Sequence, residues 1–148
     1  MVGTASIPDL VAERTAPNVY TVRNESGAEV HIGAPGAEGT FSPVELLQAA
    51  LAGCASLSAD AQLASRLGDD FDVVTTVKAL YDADTNRIEK LITQIAIDTS
   101  ELDSEKQDKL VASAERVIDK LCTVKRTLNF GVDVVTEVHA TQPEVSAA

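Results

Sequence analysis

The residues best suited to chemistry in this chain of 148 are its two cysteines, Cys54 and Cys122. A thiolate is the reactive form of cysteine, so the question for each is whether its surroundings favour the anion. Their wide separation rules out a thioredoxin-type CxxC pair and offers no zinc-ligand pattern. Cys54 falls in SPVELLQAALAGCASLSADAQLASRL, residues 42–67. Steps of three, four and seven residues from it meet Leu47, Ala50 and Leu51 on one side and Leu57, Ser58 and Ala61 on the other. Those positions share one face of a helix, so the thiol is expected on its packing face. A buried structural cysteine, acting as a small hydrophobe, fits that placement as well as a reactive one does. Ser58, one turn on, is placed either to donate to the thiol or to bond its own helix carbonyl. Cys122 falls in KLCTVKRTL, residues 120–128, among Lys120, Lys125 and Arg126. Nearby cations favour a thiolate, but basic residues also belong at a helix C-terminus, and both readings stand. His31 and His139 fall in expected strands without a matching partner. The chain has no phosphate loop and no dinucleotide fingerprint, so no cofactor and no metal are expected.

The elements that must position these thiols are legible in order. Residues 1–17, with Pro8 and Pro17, suggest an extended, irregular N-terminus. Residues 19–23 and 29–32 read as a hairpin around the turn cluster Asn24-Glu25-Ser26-Gly27. After the loop GAPGAEGT, residues 33–40, Phe41 is placed to fix how the chain enters the helix. Ser42 is a suitable N-cap, Pro43 suits the first helical position, and Glu45 completes a capping box. Gly68 ends the helix. Residues 71–81 and 87–98 read as a second hairpin, with Leu91, Thr93, Ile95 and Ile97 on one face. A second helix is expected over 104–121, its stripe being Leu110, Ala114, Val117, Ile118 and Leu121. Residues 132–138 alternate and read as a last strand, followed by a frayed tail from about 141. Nothing divides the chain, so residues 1–148 are expected to form one α+β domain.

Composition narrows the function. The net charge of −11 disfavours nucleic acid and anionic membranes as partners, since both repel an acidic surface. No stretch is long and apolar enough to span a bilayer, and the N-terminus lacks the pattern of a secretory signal. The expected compartment is the reducing cytoplasm, where a structural disulfide is unfavoured. Aromatic residues are only 3%, so the core must be built from Ala, Val, Leu and Ile. A long apolar helix in such a chain leaves surface for a second copy to cover.

Two segments resemble the OsmC/Ohr family, the osmotically induced and organic-hydroperoxide-resistance proteins. SPVELLQAALAGC, residues 42–54, is similar to the family's Pro-x-Glu-Leu-Leu…Ala-x-x-x-Cys helix. CTVKRTL, residues 122–128, is similar to its second-cysteine motif, often Cys-Pro-Val or Cys-Thr-Val followed by a polar pair and Thr-Leu. The resemblance, over residues 18–140, implies antiparallel sheets packed on two main helices in an intertwined homodimer with sites at the subunit interface. It implies a thiol-dependent peroxidase for organic hydroperoxides. Cys54 would be oxidised to a sulfenic acid, Cys122 would condense with it to a disulfide, and an external dithiol, lipoyl-type or other, would restore both. The apolar stripe around Cys54 would then be the wall of the hydroperoxide site. Many hydroperoxidases of the family place a Glu directly after the Pro and pair it with an N-terminal Arg. In this chain that position is Val44, and the acid, Glu45, comes one place later. Glu45 is nine residues before Cys54, which on a straight helix is the opposite face and about 13 Å away, so capping explains it better. Arg23 or Arg14 could supply the arginine, and Arg126 or Lys125 are alternative cations. The change at Val44 keeps a second reading open, a family-like protein that binds an apolar ligand in the dimer cleft without efficient turnover.

Overall fold

The computed structural model describes residues 3–142. Its elements run β1 (Val11–Ala16), β2 (Val19–Arg23), β3 (Glu29–Ile32), α1 (Pro43–Leu67), β4 (Val73–Asp82), β5 (Arg87–Ile97), α2 (Ser104–Leu121) and α3 (Thr123–Phe130). They form a three-stranded antiparallel sheet, β1-β2-β3, and a two-stranded antiparallel sheet, β4-β5.

The long helix starts where its capping residues require. The Ser42 hydroxyl accepts from the Glu45 amide at 3.1 Å, and the Glu45 carboxylate accepts from the Ser42 amide at 2.9 Å. These bonds satisfy donors that the first helical turn otherwise leaves unpaired. They also hold the Glu45 carboxyl below its ordinary range. Their contribution is therefore present above the ordinary glutamate pKa and is lost as the pH falls through the lowered value. Ser42 is itself buried, so Ser42→Ala removes a cap without solvent to replace it. We expect a loss of about 1 kcal/mol, read as a lower urea midpoint; an unchanged midpoint would remove the cap's role.

The loop before the helix closes on β3. The Phe41 amide donates to the His31 carbonyl at 2.9 Å and the Gly33 amide to the Phe41 carbonyl at 3.0 Å. A Cβ on Gly33 would lie 2.7 Å from Thr40 Oγ1, so this close approach needs glycine.

One side of α1 buries Leu51, Ala55, Ala59 and Leu63, each four residues from the last. The two alanines let α2 come close, and Ala59 and Leu63 pack with Leu110 and Ala114. Phe71, Ile97 and Leu102 close the end of that cluster. On its other flank α1 is pinned to β4. Gln48 Nε2 donates to the Val77 carbonyl at 2.9 Å, and the Ser56 and Thr75 hydroxyls bond at 2.7 Å. The inward residues of β4 and β5 alternate with exposed ones, as period 2 demands of a sheet with one covered face.

Three sequence expectations change. The N-terminal region is not irregular throughout, because residues 11–16 form β1. Pro17 and Asn18 make the tight turn to β2, with Asn18 at φ 60°. Every residue of β1 is exposed, which is why it carries no apolar period. Residues 123–130 form a third helix, α3, which follows α2 with only Cys122 between them. Residues 132–138 form no strand in the single chain. Val132, Val134, Val135 and Val138 are 70–94% exposed, and this segment joins neither sheet. The tail expectation from about 141 falls largely outside the described residues.

The first sheet stands apart. Ala12, Tyr20, Val22, Val30 and Ile32 lie on one of its faces by register. The sheet makes no extensive contact with the helices or with the second sheet. Its other face is polar and internally bonded. Thr21 Oγ1 lies 2.8 Å from Thr15 Oγ1 and 3.0 Å from His31 Nδ1, and Glu29 bridges Arg23 at 3.0 Å and His31 at 3.2 Å.

Candidate functional site

The two cysteines meet although most of the chain lies between them. Cys122 caps the C-terminus of α2, its amide donating to the Ile118 carbonyl at 2.9 Å, and is also the residue that opens α3. That junction turns its side chain into a cluster with Leu51 and Ala55, against which Cys54, Ile118, Leu91 and Val124 pack. Cys122 is fully buried and Cys54 is partly exposed; both are free thiols.

The surroundings push the two thiols in opposite directions. Hydrogen bonding from the Val124 backbone is the largest influence on Cys54, and the Cys122 thiol, the Thr123 backbone and Ser58 add to it. Together these outweigh burial and hold the Cys54 thiol below its ordinary range. Val124 and Thr123 lie in the first turn of α3, where amides have no helical partner and the dipole favours an anion. Burial pushes the Cys122 thiol up, and its neighbour Cys54 adds to that, while the Lys125 backbone partly opposes it. Two interacting thiols with pKa values driven apart divide into one that is readily ionised and one that keeps its proton.

Of the two roles expected for Ser58, the structure shows the bond to its own helix carbonyl. The Ser58 hydroxyl donates to the Cys54 carbonyl at 2.7 Å and lies near enough to the thiol to have the smallest share among the groups that lower it. The other supporting candidates do not act on Cys54 within one chain. Glu45 is the capping residue at the start of α1. Arg23 pairs with Glu29 on the first sheet. Arg126 is exposed on α3, and Lys125 pairs with Asp119. No cation is among the groups that lower Cys54; they are the Val124 and Thr123 backbone, the Cys122 thiol and Ser58. Residue types did not reveal the backbone donors, because they are main-chain groups of an unexpected helix. The visible trace was Thr-Val-Lys directly after Cys122. Among the described residues no cluster of metal-binding side chains occurs, and His31 and His139 make only carboxylate or hydroxyl contacts.

The apolar stripe is displaced from its expected position. The buried line of α1 is Leu51–Ala55–Ala59–Leu63, and Cys54 lies at its edge. Ala50, Leu57 and Ala61, which share the Cys54 face, are exposed, Leu57 at 77%. An open cleft of ≈530 Å³ lies between α1, α2 and β5, lined by Leu51, Ala55, Leu63, Leu91, Ile95 and Ile118 among others. Cys54 does not line it. The side of Cys54 away from Cys122 is thus a bare helix face rather than a finished pocket.

The family model described as OsmC-like protein matches residues 36–137, a span that holds both cysteines. The chain belongs to the OsmC-like family. This OsmC-like chain is 37% identical over 129 residues to an uncharacterized protein of Mycobacterium tuberculosis and equally to one of Mycobacterium bovis, covering 87% of this chain and 94% of each relative. Its fold is similar to that of a hypothetical protein from Aquifex aeolicus, with a TM-score of 0.62, 14% identity, and coverage of 87% of this chain and 92% of that one. It is also similar to the organic hydroperoxide resistance protein OhrB of Bacillus subtilis, with a TM-score of 0.50, 22% identity, and coverage of 80% and 88%. The α+β architecture expected from the sequence is thus an OsmC-like one. No helix among the described residues is long and apolar enough to cross a membrane.

The opposed shifts of the thiols give a direct expectation. Cys54 should alkylate with iodoacetamide at a pH below that needed by a free thiol, whose pKa is about 8.5. The rate should fall as the pH drops through the lowered Cys54 value, because only the thiolate reacts. Cys122 should lag at every pH. A Cys54 profile at or above that of free cysteine would contradict the assignment.

Proposed function

We propose that this OsmC-like protein is a thiol-dependent peroxidase that reduces organic hydroperoxides. The observation that supports it is the contact between two thiols from distant parts of the chain, one favoured as the anion and the other held protonated. In this reading the Cys54 thiolate attacks the distal peroxide oxygen and the O–O bond breaks. The alcohol leaves with a proton and Cys54 becomes a sulfenic acid. Cys122 then attacks the Cys54 sulfur, water leaves, and a disulfide forms. An external dithiol returns both residues to thiols and is itself oxidised to a disulfide. The working compartment is the cytoplasm, where such dithiols are kept reduced.

The unit that carries this out is a homodimer. The bare face of α1 beside Cys54, the unpacked first sheet and the exposed valines after Gly131 leave apolar surface open in the single chain, which a second copy would cover. The partner would then form the far wall of the hydroperoxide site. A non-catalytic protein that binds an apolar ligand is the second reading, favoured by the lack of any cation acting on Cys54. Consumption of cumene hydroperoxide in the presence of dithiothreitol separates the two. Turnover well above that of an equal concentration of free thiol is expected, and a rate equal to it would leave the binding reading.

A further inference from the structure

Thiol–disulfide exchange is directional. The incoming thiolate strikes one of the two sulfurs along the S–S axis, from the side away from the sulfur that leaves. For a Cys54–Cys122 disulfide the two lines of approach differ completely. The line to Cys122 Sγ passes through the cluster that encloses it, where Leu51, Ala55, Ile118 and Val124 leave the residue with no exposed surface. The line to Cys54 Sγ comes from the side on which that residue is partly exposed, the side by which a hydroperoxide would reach it in the proposed dimer. We infer that, on the peroxidase reading above, the external dithiol attacks Cys54 Sγ, so that the mixed disulfide of the reductive half-reaction is carried on Cys54.

The step balances. The dithiol's first thiolate bonds to Cys54 Sγ, the S–S bond breaks, and its electron pair goes to Cys122 Sγ, which takes a proton. The second thiolate of the same molecule then attacks its own bound sulfur. That expels the Cys54 thiolate and leaves the dithiol as a cyclic disulfide. The raised pKa of Cys122 slows its departure in the first step, because a less acidic thiol is a poorer leaving group. The Lys125 backbone, which favours the Cys122 anion, offsets part of this. In the second step the leaving group is Cys54, the more readily ionised thiol, so completion is the easier half. Access therefore selects the slower first sulfur, and a dithiol that can finish the reaction intramolecularly is favoured over a monothiol, whose adduct Cys122 can expel.

The order of attack can be read with a monothiol probe. The protein is oxidised with diamide, exposed briefly to glutathione, quenched in acid and capped with N-ethylmaleimide. Trypsin places the cysteines on separate peptides, residues 24–66 and 121–125. Glutathione is expected on the first and maleimide on the second, in at least about tenfold excess over the reverse. Glutathione on Cys122, or equally on both, would overturn the inference, as would failure of diamide to link the two cysteines. No hydroperoxide enters this experiment, so a protein that failed the peroxidase assay would still give a readable adduct. Glutathione on Cys54 in such a protein would keep the order of attack while removing the peroxidase reading.

Discussion

Cys54→Ser should abolish hydroperoxide reduction, whereas Cys122→Ser should react once and stop. The two outcomes differ because the surroundings of the thiols differ. Cys54 is partly exposed and sits against the first turn of α3, which favours its anion. Without it no thiolate remains where a hydroperoxide can reach. Cys122 is fully buried and held toward the thiol, so it is poorly suited to make the first attack. In Cys122→Ser the sulfenic acid on Cys54 has no partner to condense with, and dimedone should trap it in about one equivalent per chain. Sustained turnover should then require an external thiol that attacks the sulfenate directly. The fall in turnover for Cys54→Ser should be at least about a thousandfold, down to the background of the added dithiol. Trapping in Cys54→Ser but not in Cys122→Ser would reverse the two roles. Part of the Cys54 shift comes from the Cys122 thiol, so the alkylation profile of Cys122→Ser should move modestly toward higher pH.

The second large effect concerns assembly. The protein should sediment as a dimer at micromolar concentration, with more than about 2,000 Å² buried in total. The double substitution Val134→Asp and Val138→Asp should shift it to monomers. Both valines are more than three-quarters exposed in the single chain, at 80% and 94%, so a chain that stayed monomeric would tolerate charge there. In a dimer each buried valine is worth about 1.5–3 kcal/mol, and an unpaired carboxylate in its place adds a desolvation penalty. The dimer of the variant should therefore be weaker than that of the wild type by at least about a hundredfold. A wild-type monomer, or a variant dimer of unchanged affinity, would remove the dimer from the proposal. Loss of hydroperoxide turnover alongside dissociation would further tie the site to the subunit boundary.

Particular residues explain what could be read from the chain and what could not. The capping box Ser42–Glu45, α2 and the hairpin of β4 and β5 were legible because each is fixed by local chemistry or by one covered face. The pairing of Cys54 with Cys122 came from family motifs, since no spacing rule joins residues so far apart. β1 was missed because its stabilisation lies in ladder bonds to β2 and the turn at Pro17–Asn18, not in an apolar pattern. α3 was missed because it is only two turns long and its capping residue, Cys122, makes no side-chain cap. Residues 132–138 show the opposite error. Their alternation is real, but a strand needs a neighbour, and one chain does not provide it. The displacement of the apolar stripe has the same origin: a helix wheel marks apolar positions, not which of them the rest of the fold covers. Leu51 and Leu57 both belong to the stripe read from that wheel and end at 5% and 77% exposure.

Where Cys122 sits in the chain carries a consequence for the protein's cycle. A bond from Cys54 to this helix junction would close a ring of about seventy residues containing β4, β5 and α2, and a ring of that length removes roughly 4 kcal/mol of conformational freedom from the unfolded chain. Oxidised protein should therefore melt later than reduced protein, and turnover would alternate between a tied and an untied chain. The same free energy acts in reverse on the bond itself. Whatever the link adds to folding, folding adds to the link, so native protein holds its disulfide against weak reductants that would open it in the denatured chain.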